Sequence, residues 1–224
     1  ISSDDLSGDT TLPFYIAADR PGTYLETTVG ESAYANYQPD ANTVGLWHMD
    51  EGTDDACNAG SDDVCDASGN GHHGDENGSP TPGVIGKTGF ARDFIADSDY
   101  IEVPDSAEFT LSQNFTIEAW INPDDISDDW KAIVGTYSGG TSGWILALDN
   151  TAGNALNFYD GTWIDSNIAI AEEGTWKHVA VVNNAGDCMF YVNGVHGATV
   201  ACATTDLDGG VLQIGDGGSG WSGF

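Results

Sequence analysis

Oxygen-bearing side chains alternate with small residues in one glycine-rich stretch, Asp66-Ala-Ser-Gly-Asn-Gly71. Glycine permits a tight turn, and such a turn could direct the oxygen atoms of Asp66, Ser68 and Asn70 toward one hard cation such as calcium. The twelfth position counted from Asp66 is Asn77 rather than the glutamate that an EF-hand requires, so an EF-hand is excluded. The stretch predicts either a calcium loop of another kind or a plain Asx turn.

Aromatic side chains in polar surroundings form a second group with binding potential. Sugars present apolar C–H faces ringed by hydroxyl groups, so their sites commonly combine an aromatic ring with Asp and Asn. Trp130 and Trp163 lie in Gly- and Asp-rich stretches, and we expect them at the surface. Core packing is the alternative for any single tryptophan. The wider aromatic set is Trp130, Tyr137, Trp144, Tyr159, Trp163 and Trp221, and the predicted ligand-binding residues are Trp130, Tyr137, Trp163 and Trp221.

Paired carboxylates and histidines give no support for catalysis. A glycosidase needs two carboxyl groups flanking the scissile bond. The adjacent pairs Glu172-Glu173 and Asp124-Asp125 would point to opposite faces of a strand. No motif supplies a nucleophile and an orienting acid for any histidine. We expect His178 to be structural and His72 and His73 to be solvated, and the sequence predicts a protein that is not an enzyme.

The four cysteines form two local pairs. Cys57 and Cys65 bracket an acidic loop, while Cys188 and Cys202 are symmetric about Val195. A hairpin centred on Val195 places Cys188 directly opposite Cys202, within disulfide reach. No Cys-x-x-Cys spacing supports a zinc or redox site. We expect the disulfides Cys57–Cys65 and Cys188–Cys202, and hence an oxidising, extracellular or cell-surface location rather than four reduced thiols.

The chain carries 36 acidic and 5 basic side chains, a formal net charge of −31. Such a charge repels nucleic acid and anionic membranes, so neither is expected as a partner. No apolar run has the length needed to insert into a membrane. Three interpretations of the charge stay open: solubility in a salty habitat, binding of divalent cations, and concentration of basic ligands.

Short strands separated by turn residues follow one another from Val44 onward. In residues 115–121, for example, apolar and polar side chains alternate with period two, so one face should pack on the core. No segment shows a sustained helical period. The predicted fold is all-β, a two-sheet antiparallel β-sandwich. Residues 1–41 form a lead-in segment with one candidate strand at Leu12 to Ala17.

Seven sequence words occur in a fixed order: Gly-Leu-Trp-His-Met-Asp-Glu-Gly at 45–52, Asp-Ala-Ser-Gly-Asn-Gly-His-His-Gly at 66–74, Gly-Lys-Thr-Gly-Phe-Ala-Arg-Asp-Phe at 86–94, Tyr-Ile-Glu-Val-Pro-Asp-Ser at 100–106, Phe-Thr-Ile-Glu-Ala-Trp-Ile at 115–121, Gly-Thr-Trp-Lys-His-Val-Ala-Val-Val at 174–182 and Phe-Tyr-Val-Asn-Gly at 190–194. Their order and spacing resemble the bacterial laminin G-like family of concanavalin A-like jelly-roll domains. The resemblance implies one jelly-roll domain over residues 42–224. Trp47, Trp120 and Trp176 lie inside these words, and we expect them in the core.

The resemblance also implies a structural calcium at the edge of the jelly roll. Asp50 or Glu51 could complete the set begun by Asp66, Ser68 and Asn70. Family members usually continue past the equivalent of Phe224 with a strand that carries Ile-Asp-Glu. The expectation is therefore a sheet edge that needs a partner, either the apolar segment at 12–17 or a strand of another chain.

These observations predict a non-catalytic, extracellular recognition or adhesion module that binds a glycan or a cell-surface component and is stabilised by calcium. The alternative is a structural subunit of an extracellular filament or surface layer, in which copies of the chain assemble by strand exchange through the unpaired sheet edge.

Overall fold

The structure is a computed structural model, and it describes residues 38–57, 59–111, 113–124, 130–136, 142–149, 154–170, 172–202 and 210–216. Tyr137, Trp221 and the candidate strand at 12–17 lie outside the described residues. The boundary between a lead-in segment and a jelly-roll domain near residue 42 therefore stays a prediction.

The regular secondary structure of the described residues is almost entirely β-strand. One 3₁₀ helix covers Ala107–Phe109. The strands are β1 Asp75–Asn77, β2 Thr81–Ile85, β3 Phe90–Asp93, β4 Tyr100–Val103, β5 Phe115–Ile121, β6 Lys131–Gly135, β7 Ile145–Asp149, β8 Ala155–Tyr159, β9 Trp163–Ala169, β10 Lys177–Asn184, β11 Asp187–Val192, β12 Val195–Ala201 and β13 Leu212–Ile214.

These strands form two large sheets and one hairpin. The seven-stranded sheet has the order β1-β4-β13-β6-β7-β8-β9, and the four-stranded sheet has the order β12-β11-β10-β5. Strands β2 and β3 pair only with each other among the described residues. Every pairing is antiparallel. The predicted two-sheet antiparallel sandwich is confirmed.

The hydrophobic core lies between the facing surfaces of the two large sheets. The seven-stranded sheet contributes Leu146, Leu156 and Phe158, and the four-stranded sheet contributes Val181 and Phe190, all five of them at 0% exposure. Burial of a side chain of this size stabilises the fold by about 1.5–3 kcal/mol. The alternation predicted for β5 is confirmed, because Phe115, Ile117, Ala119 and Ile121 belong to this core or pack against it.

Both predicted disulfides are present. Cys57 pairs with Cys65, with Cα atoms 5.3 Å apart, and Cys188 pairs with Cys202, with Cα atoms 5.6 Å apart. These separations lie within the normal range for a disulfide. All four cysteines are therefore committed to structural links, and no free cysteine remains.

The hairpin register predicted around Cys188 and Cys202 was wrong. Asn193 and Gly194 adopt positive φ angles of 48° and 74°, which suits a two-residue type I′ turn, so the chain reverses there and not at Val195. A bulge between Met189 and Tyr191 then moves the register by one residue toward the predicted one, and Cys188 lies opposite Val200. Cys202 is two residues beyond that position, and a shift of two residues keeps a side chain on the same face. The disulfide therefore forms across a diagonal.

Candidate functional site

On three adjacent strands of the seven-stranded sheet, β7, β8 and β9, the side chains that point away from the core share one face, which is buried at Ala147 and Asn157 and exposed at Trp163. Tyr159 lies opposite Trp163 in the first row. In the next row Asn157 lies opposite both Ala147 and Asp165. Residues two apart on a strand share a face. An aromatic row therefore runs beside a row that holds a buried amide, Asn157, and a half-buried carboxylate, Asp165.

The turn between β8 and β9 positions Trp163 beside Tyr159. The Asp160 backbone N–H donates to the Thr162 carbonyl at 3.2 Å. In return, the Asp160 carboxylate accepts from the Thr162 backbone at 3.3 Å and from its hydroxyl at 3.2 Å. Gly161 sits between them at φ +104°, a left-handed conformation that glycine tolerates. This local network fixes the start of β9.

Three aromatic rings pack together here, and we call Trp130, Tyr159 and Trp163 the Trp163 stack. The centroids of Trp130 and Trp163 are 4.1 Å apart with 33° between the ring planes. The centroids of Tyr159 and Trp163 are 5.1 Å apart with 56° between the planes. Trp163 is still 37% exposed. Mutual packing holds its indole in place, so a ligand would meet an ordered aromatic surface at low entropic cost.

The neighbouring polar groups are also held rigidly. The Asn157 side chain is 2% exposed, and its Nδ2 donates to the Ala155 carbonyl at 3.2 Å. The Asp165 Oδ1 accepts from the Asn167 backbone N–H at 2.7 Å. A fixed carboxylate close to an exposed indole can accept hydroxyl hydrogen bonds while the ring covers an apolar C–H face.

The structure brings together two of the four aromatic residues predicted to bind a ligand. Trp130 and Trp163 stack on each other, while Tyr137 and Trp221 lie outside the described residues. Tyr159, a member of the wider aromatic set, completes the stack. Trp144 does not contribute, because it is 4% exposed in the core and its Nε1 donates to the Phe109 carbonyl at 2.9 Å.

Trp120 was wrongly expected in the core, since it is 44% exposed on the outer face of β5. Its ring centroid lies 5.3 Å from that of His178 on the neighbouring strand, and the Lys87 Nζ lies 4.9 Å from the centroid of the Trp120 ring. The alternation of β5 already contained this result, because Trp120 falls out of phase with Ile117 and Ala119. Of the other two tryptophans in the family words, Trp47 packs against the core, as expected, whereas Trp176 is half-buried and is not among the described core residues.

The predicted metal loop centres on Asp66, which is 7% exposed. Its Oδ1 accepts from the backbone N–H groups of Leu46 at 3.0 Å and Ser68 at 2.8 Å. Its Oδ2 accepts from the Ser68 hydroxyl at 2.7 Å and the His72 backbone at 2.9 Å. Burial alone would raise the pKa of Asp66, but these hydrogen bonds outweigh it and lower the pKa.

The other predicted ligands take part in the same network to different degrees. The Asn70 Nδ2 donates to the Val44 carbonyl at 2.8 Å and to the Thr43 carbonyl at 3.0 Å. These bonds fasten the loop to the preceding segment, while the bond from the Ser68 backbone N–H to the Asp66 Oδ1 forms an Asx turn within the loop. The Asp50 side chain is exposed. The loop geometry is therefore satisfied by protein hydrogen bonds around Asp66, Ser68 and Asn70.

Glu51 is the predicted ligand with unused capacity. Its Oε1 accepts from the Cys65 backbone N–H at 2.8 Å. Its Oε2 is buried and has no hydrogen-bond partner among the described residues. The Sγ atoms of Cys57 and Cys65 lie within 4.8 Å of this carboxylate. A disulfide offers no thiolate, so this group is no zinc site, but a carboxylate oxygen without a partner does suit a hard cation.

His72 and His73 were wrongly expected to be solvated. The His72 Nε2 lies 2.6 Å from the Glu108 Oε2, and the His72 side chain is 15% exposed. The His73 Nδ1 accepts from the Asp66 backbone N–H at 3.1 Å. Both rings thus brace the Asp66 loop, a role that only the tertiary contact with Glu108 and the loop closure reveal.

Sequence reasoning missed Arg92, the centre of an acidic region. Its side chain is 1% exposed, and its Nη1 lies 3.1 Å from carboxylate oxygens of both Asp54 and Glu76. Burial raises the pKa of Glu76, Asp54 and Asp63 raise it further, and Arg92 partly offsets them. Burial and neighbouring carboxylates likewise raise the pKa of Asp75. Around Glu76 and Asp75, neighbouring carboxylates therefore disfavour the ionised form of each acid.

Solved structures with the same arrangement of sheets include two carbohydrate complexes. One is domain 4 of AbnA, a GH43 extracellular arabinanase from Geobacillus stearothermophilus, in complex with arabinotriose; it is 20% identical with a TM-score of 0.55, over 70% of this chain and 80% of that one. The other is the ligand binding domain of botulinum neurotoxin serotype D in complex with N-acetylneuraminic acid, which is 16% identical with a TM-score of 0.51.

The match to the toxin domain covers 67% of this chain and 39% of that one, so the chain spans only part of the toxin domain. At these identities the likeness shows the fold. No curated protein matches the sequence. The family model of the concanavalin A-like lectin/glucanases superfamily, in its laminin G-like form, matches residues 96–224, more than half of the chain. With the antiparallel sandwich, this match shows that the chain belongs to the laminin G-like family of the concanavalin A-like lectin/glucanase superfamily.

Proposed function

We propose that this protein is a non-catalytic carbohydrate-recognition module and that the Trp163 stack is its binding surface. The observation that carries the proposal is the exposed indole of Trp163, held between Trp130 and Tyr159 at the end of a row that neighbours Asp165. The indole would cover the C–H face of a sugar ring, and the carboxylate of Asp165 would accept its hydroxyl groups.

Two further observations support this proposal. Solved structures of the same fold hold arabinotriose in one case and N-acetylneuraminic acid in the other. The carboxylates nearest the stack in sequence, Asp160 and Asp165, both accept hydrogen bonds within their own turns, which is a structural use. A binding role therefore fits the site better than acid–base catalysis, which needs carboxyl groups poised on both sides of a bond.

The two disulfides fit an extracellular or cell-surface protein, where an oxidising environment keeps such links closed. Among the described residues, no helix is both long and apolar enough to cross a membrane. We propose that the module mediates adhesion to a surface that carries glycans.

We propose a structural calcium beside the Asp66 loop, with Glu51 as its main anchor. The support is the buried Glu51 Oε2, which has no hydrogen-bond partner in the part of the chain that the structure describes. A bound cation would satisfy this oxygen and would fix the segment that carries Cys57 and Cys65 against the loop. The hydrogen bonds already made by Asp66 and Ser68 give the loop its shape without metal.

The carbohydrate proposal is tested with a panel of neutral, acidic and amino-sugar glycans, followed by titration calorimetry on the best ligand. Trp163→Ala should weaken binding about tenfold, equivalent to about 1.4 kcal/mol. Trp120→Ala is the matched control, because Trp120 is also an exposed tryptophan but lies on the other sheet. Absence of binding to every glycan, or equal affinities for wild type and Trp163→Ala, would overturn the proposal.

A further inference from the structure

On β7, β8 and β9, the charged side chains that share a face with the Trp163 stack are all carboxylates. Asp165 follows Trp163 by two positions on β9, so both side chains point to this face. Asp149 lies buried on the same face of β7, and Asp160 lies in the turn beside the stack. Carboxylates create a negative potential, which concentrates ligands of positive charge. A ligand of this face should therefore carry positive rather than negative charge.

The lysines and arginines of the described residues leave this negative potential in place. Lys177 belongs to β10 of the other large sheet, and the Lys87 Nζ lies over an aromatic ring of that sheet. Arg92 is buried between two carboxylates of its own. Lys131 lies directly opposite Leu148, a core residue, and directly opposed residues share a face. Lys131 is therefore directed toward the core side of the sheet, away from the stack.

Asp165 has an oxygen atom to offer a ligand. Its Oδ1 accepts from the Asn167 backbone N–H at 2.7 Å, which fixes the direction of the carboxylate. Its Oδ2 has no hydrogen-bond partner in the part of the chain that the structure describes. The side chain is half-buried, so its charge is screened less than that of a fully exposed group. A charged donor would form a stronger hydrogen bond with this oxygen than a neutral hydroxyl would.

The aromatic rings favour the same kind of ligand. Trp130 packs on the Trp163 ring at a centroid distance of 4.1 Å, and Trp163 remains 37% exposed. The exposed ring surface can cover the apolar C–H face of a sugar. A cation close to an indole ring is also attracted by the negative charge of its π face. Asp165 lies about 7 Å farther along the strand, within reach of a substituent on a sugar that covers Trp163.

We propose that the ligand of the Trp163 stack is an amino sugar with a free, protonated amine. The amine would donate to the Asp165 Oδ2 while the sugar ring lies on the Trp163 indole. This inference rests on the carbohydrate-recognition function proposed above and names the class of sugar. N-acetylation turns the amine into a neutral amide and would remove the charge-assisted hydrogen bond, while a carboxylate on the sugar would meet repulsion.

The net charge of −31 supports the same ligand class at long range. A strongly acidic surface raises the local concentration of a cationic sugar and speeds its association. Among the three interpretations of this charge, the site makes use of the concentration of basic ligands. Salt screens this general attraction, which belongs to the whole molecule, so only the part of the affinity that depends on Asp165 is specific to the site.

The test compares three trisaccharides that share one β-1,4-linked backbone: a trimer of glucosamine, a trimer of N-acetylglucosamine and a trimer of glucose. Their affinities for the full chain are measured by titration calorimetry at low and high salt, with the amines protonated. We expect the glucosamine trimer to bind about tenfold more tightly than the other two at low salt. This advantage should shrink as salt is added, because salt screens the attraction between amine and carboxylate.

Asp165→Asn separates the site from the general charge. It keeps the Oδ1 that accepts from Asn167 and removes the charge that would bind the amine. The affinity for the glucosamine trimer should fall about tenfold, while that for the glucose trimer should stay within about twofold. Asp187→Asn is the matched control, because it removes the same charge at an exposed position of β11 on the other sheet. It should leave both affinities within about twofold of the wild type.

The outcomes distinguish this inference from the function on which it rests. Equal affinities of the wild type for the glucosamine and glucose trimers, or equal losses in Asp165→Asn and Asp187→Asn, would overturn the amino-sugar assignment. Binding of the glucosamine trimer that Trp163→Ala leaves unchanged would overturn it as well. If Trp163→Ala still weakened binding of the glucose trimer, the carbohydrate function would stand without that assignment. If no sugar of the glycan panel bound, both proposals would be wrong.

Discussion

At the scale of single residues, Asp66 shows how a buried carboxylate can organise a loop. It accepts four described hydrogen bonds, two from backbone groups on one oxygen and two on the other. Hydrogen bonds to an ionised acceptor are among the stronger ones in proteins. The same contacts lower the pKa of Asp66 in spite of its burial. The charge of this residue is therefore part of the fold.

We predict that Asp66→Asn lowers the free energy of unfolding by about 1–3 kcal/mol at neutral pH. The new amide nitrogen would face the His72 backbone donor, and the hydrogen bond from that donor would be lost. A lowered pKa means that the stabilising charge is present above the unfolded pKa near 3.8 and is lost as the pH falls through the folded value. The difference between variant and wild type should therefore shrink in acid.

Asp75→Asn is the control of opposite sign. Burial and nearby carboxylates raise the pKa of Asp75, so its ionised form opposes folding. The substitution should raise the free energy of unfolding near neutral pH. The gain should shrink as the pH falls through the raised pKa of Asp75 and should be absent below about 3.8, where the carboxyl group is protonated in both states. Urea unfolding of both variants at several pH values measures both effects. Parallel pH profiles for the two variants would contradict this account.

At the scale of strands, the alternating pattern carried most of the predictive information. Period two in residues 115–121 assigned the core face of β5 correctly. The same alternation points Trp120 outward, against the expectation drawn from the family resemblance that it lies in the core. The exact register of β11 and β12 was not accessible, because it depends on where Asn193 and Gly194 reverse the chain and on a bulge near Met189. A bulge follows from tertiary packing, which leaves little trace in the local sequence.

The site was predictable only in part for a related reason. Gly- and Asp-rich surroundings correctly marked Trp130 and Trp163, but their mutual stacking joins segments on either side of β7 and β8. The role of Arg92 could not be predicted, because its ion-pair partners, Asp54 and Glu76, come from separate parts of the chain. Contacts between distant segments decide such pairings, and one sequence does not display them.

A glycine in β6 tests how tightly the strands behind the candidate site are packed. A Cβ atom on Gly135 would lie 2.5 Å from the Trp144 carbonyl oxygen and 2.5 Å from the Ile145 side chain. Backbone cannot yield as a flexible side chain can, so Gly135→Ala should lower the free energy of unfolding by about 1–3 kcal/mol. Gly52→Ala is the control, because no atom lies within 4 Å of its added Cβ. Equal stabilities would show that β6 and β7 adjust freely.

At the scale of the whole molecule, a net charge of −31 opposes the compact state through self-repulsion. Salt should therefore stabilise the protein without any specific site, because screening shortens the range of repulsion to about 8 Å at physiological ionic strength. If calcium binds a specific site, it must stabilise the protein by more than this general effect of salt. The comparison that matters is calcium against sodium at equal ionic strength.

We predict that calcium raises the free energy of unfolding more than sodium does at matched ionic strength. The excess should approach about 2.7 kcal/mol when calcium is a hundredfold above its dissociation constant. Glu51→Gln should abolish the excess, because it removes the carboxylate whose Oε2 lacks a partner, while keeping a side-chain oxygen to accept from Cys65. Glu173→Gln removes one negative charge at an exposed position and should leave the excess intact. Identical calcium and sodium curves for the wild type would show that the Asp66 loop is held by its hydrogen bonds alone and that the acidic surface responds only to ionic strength.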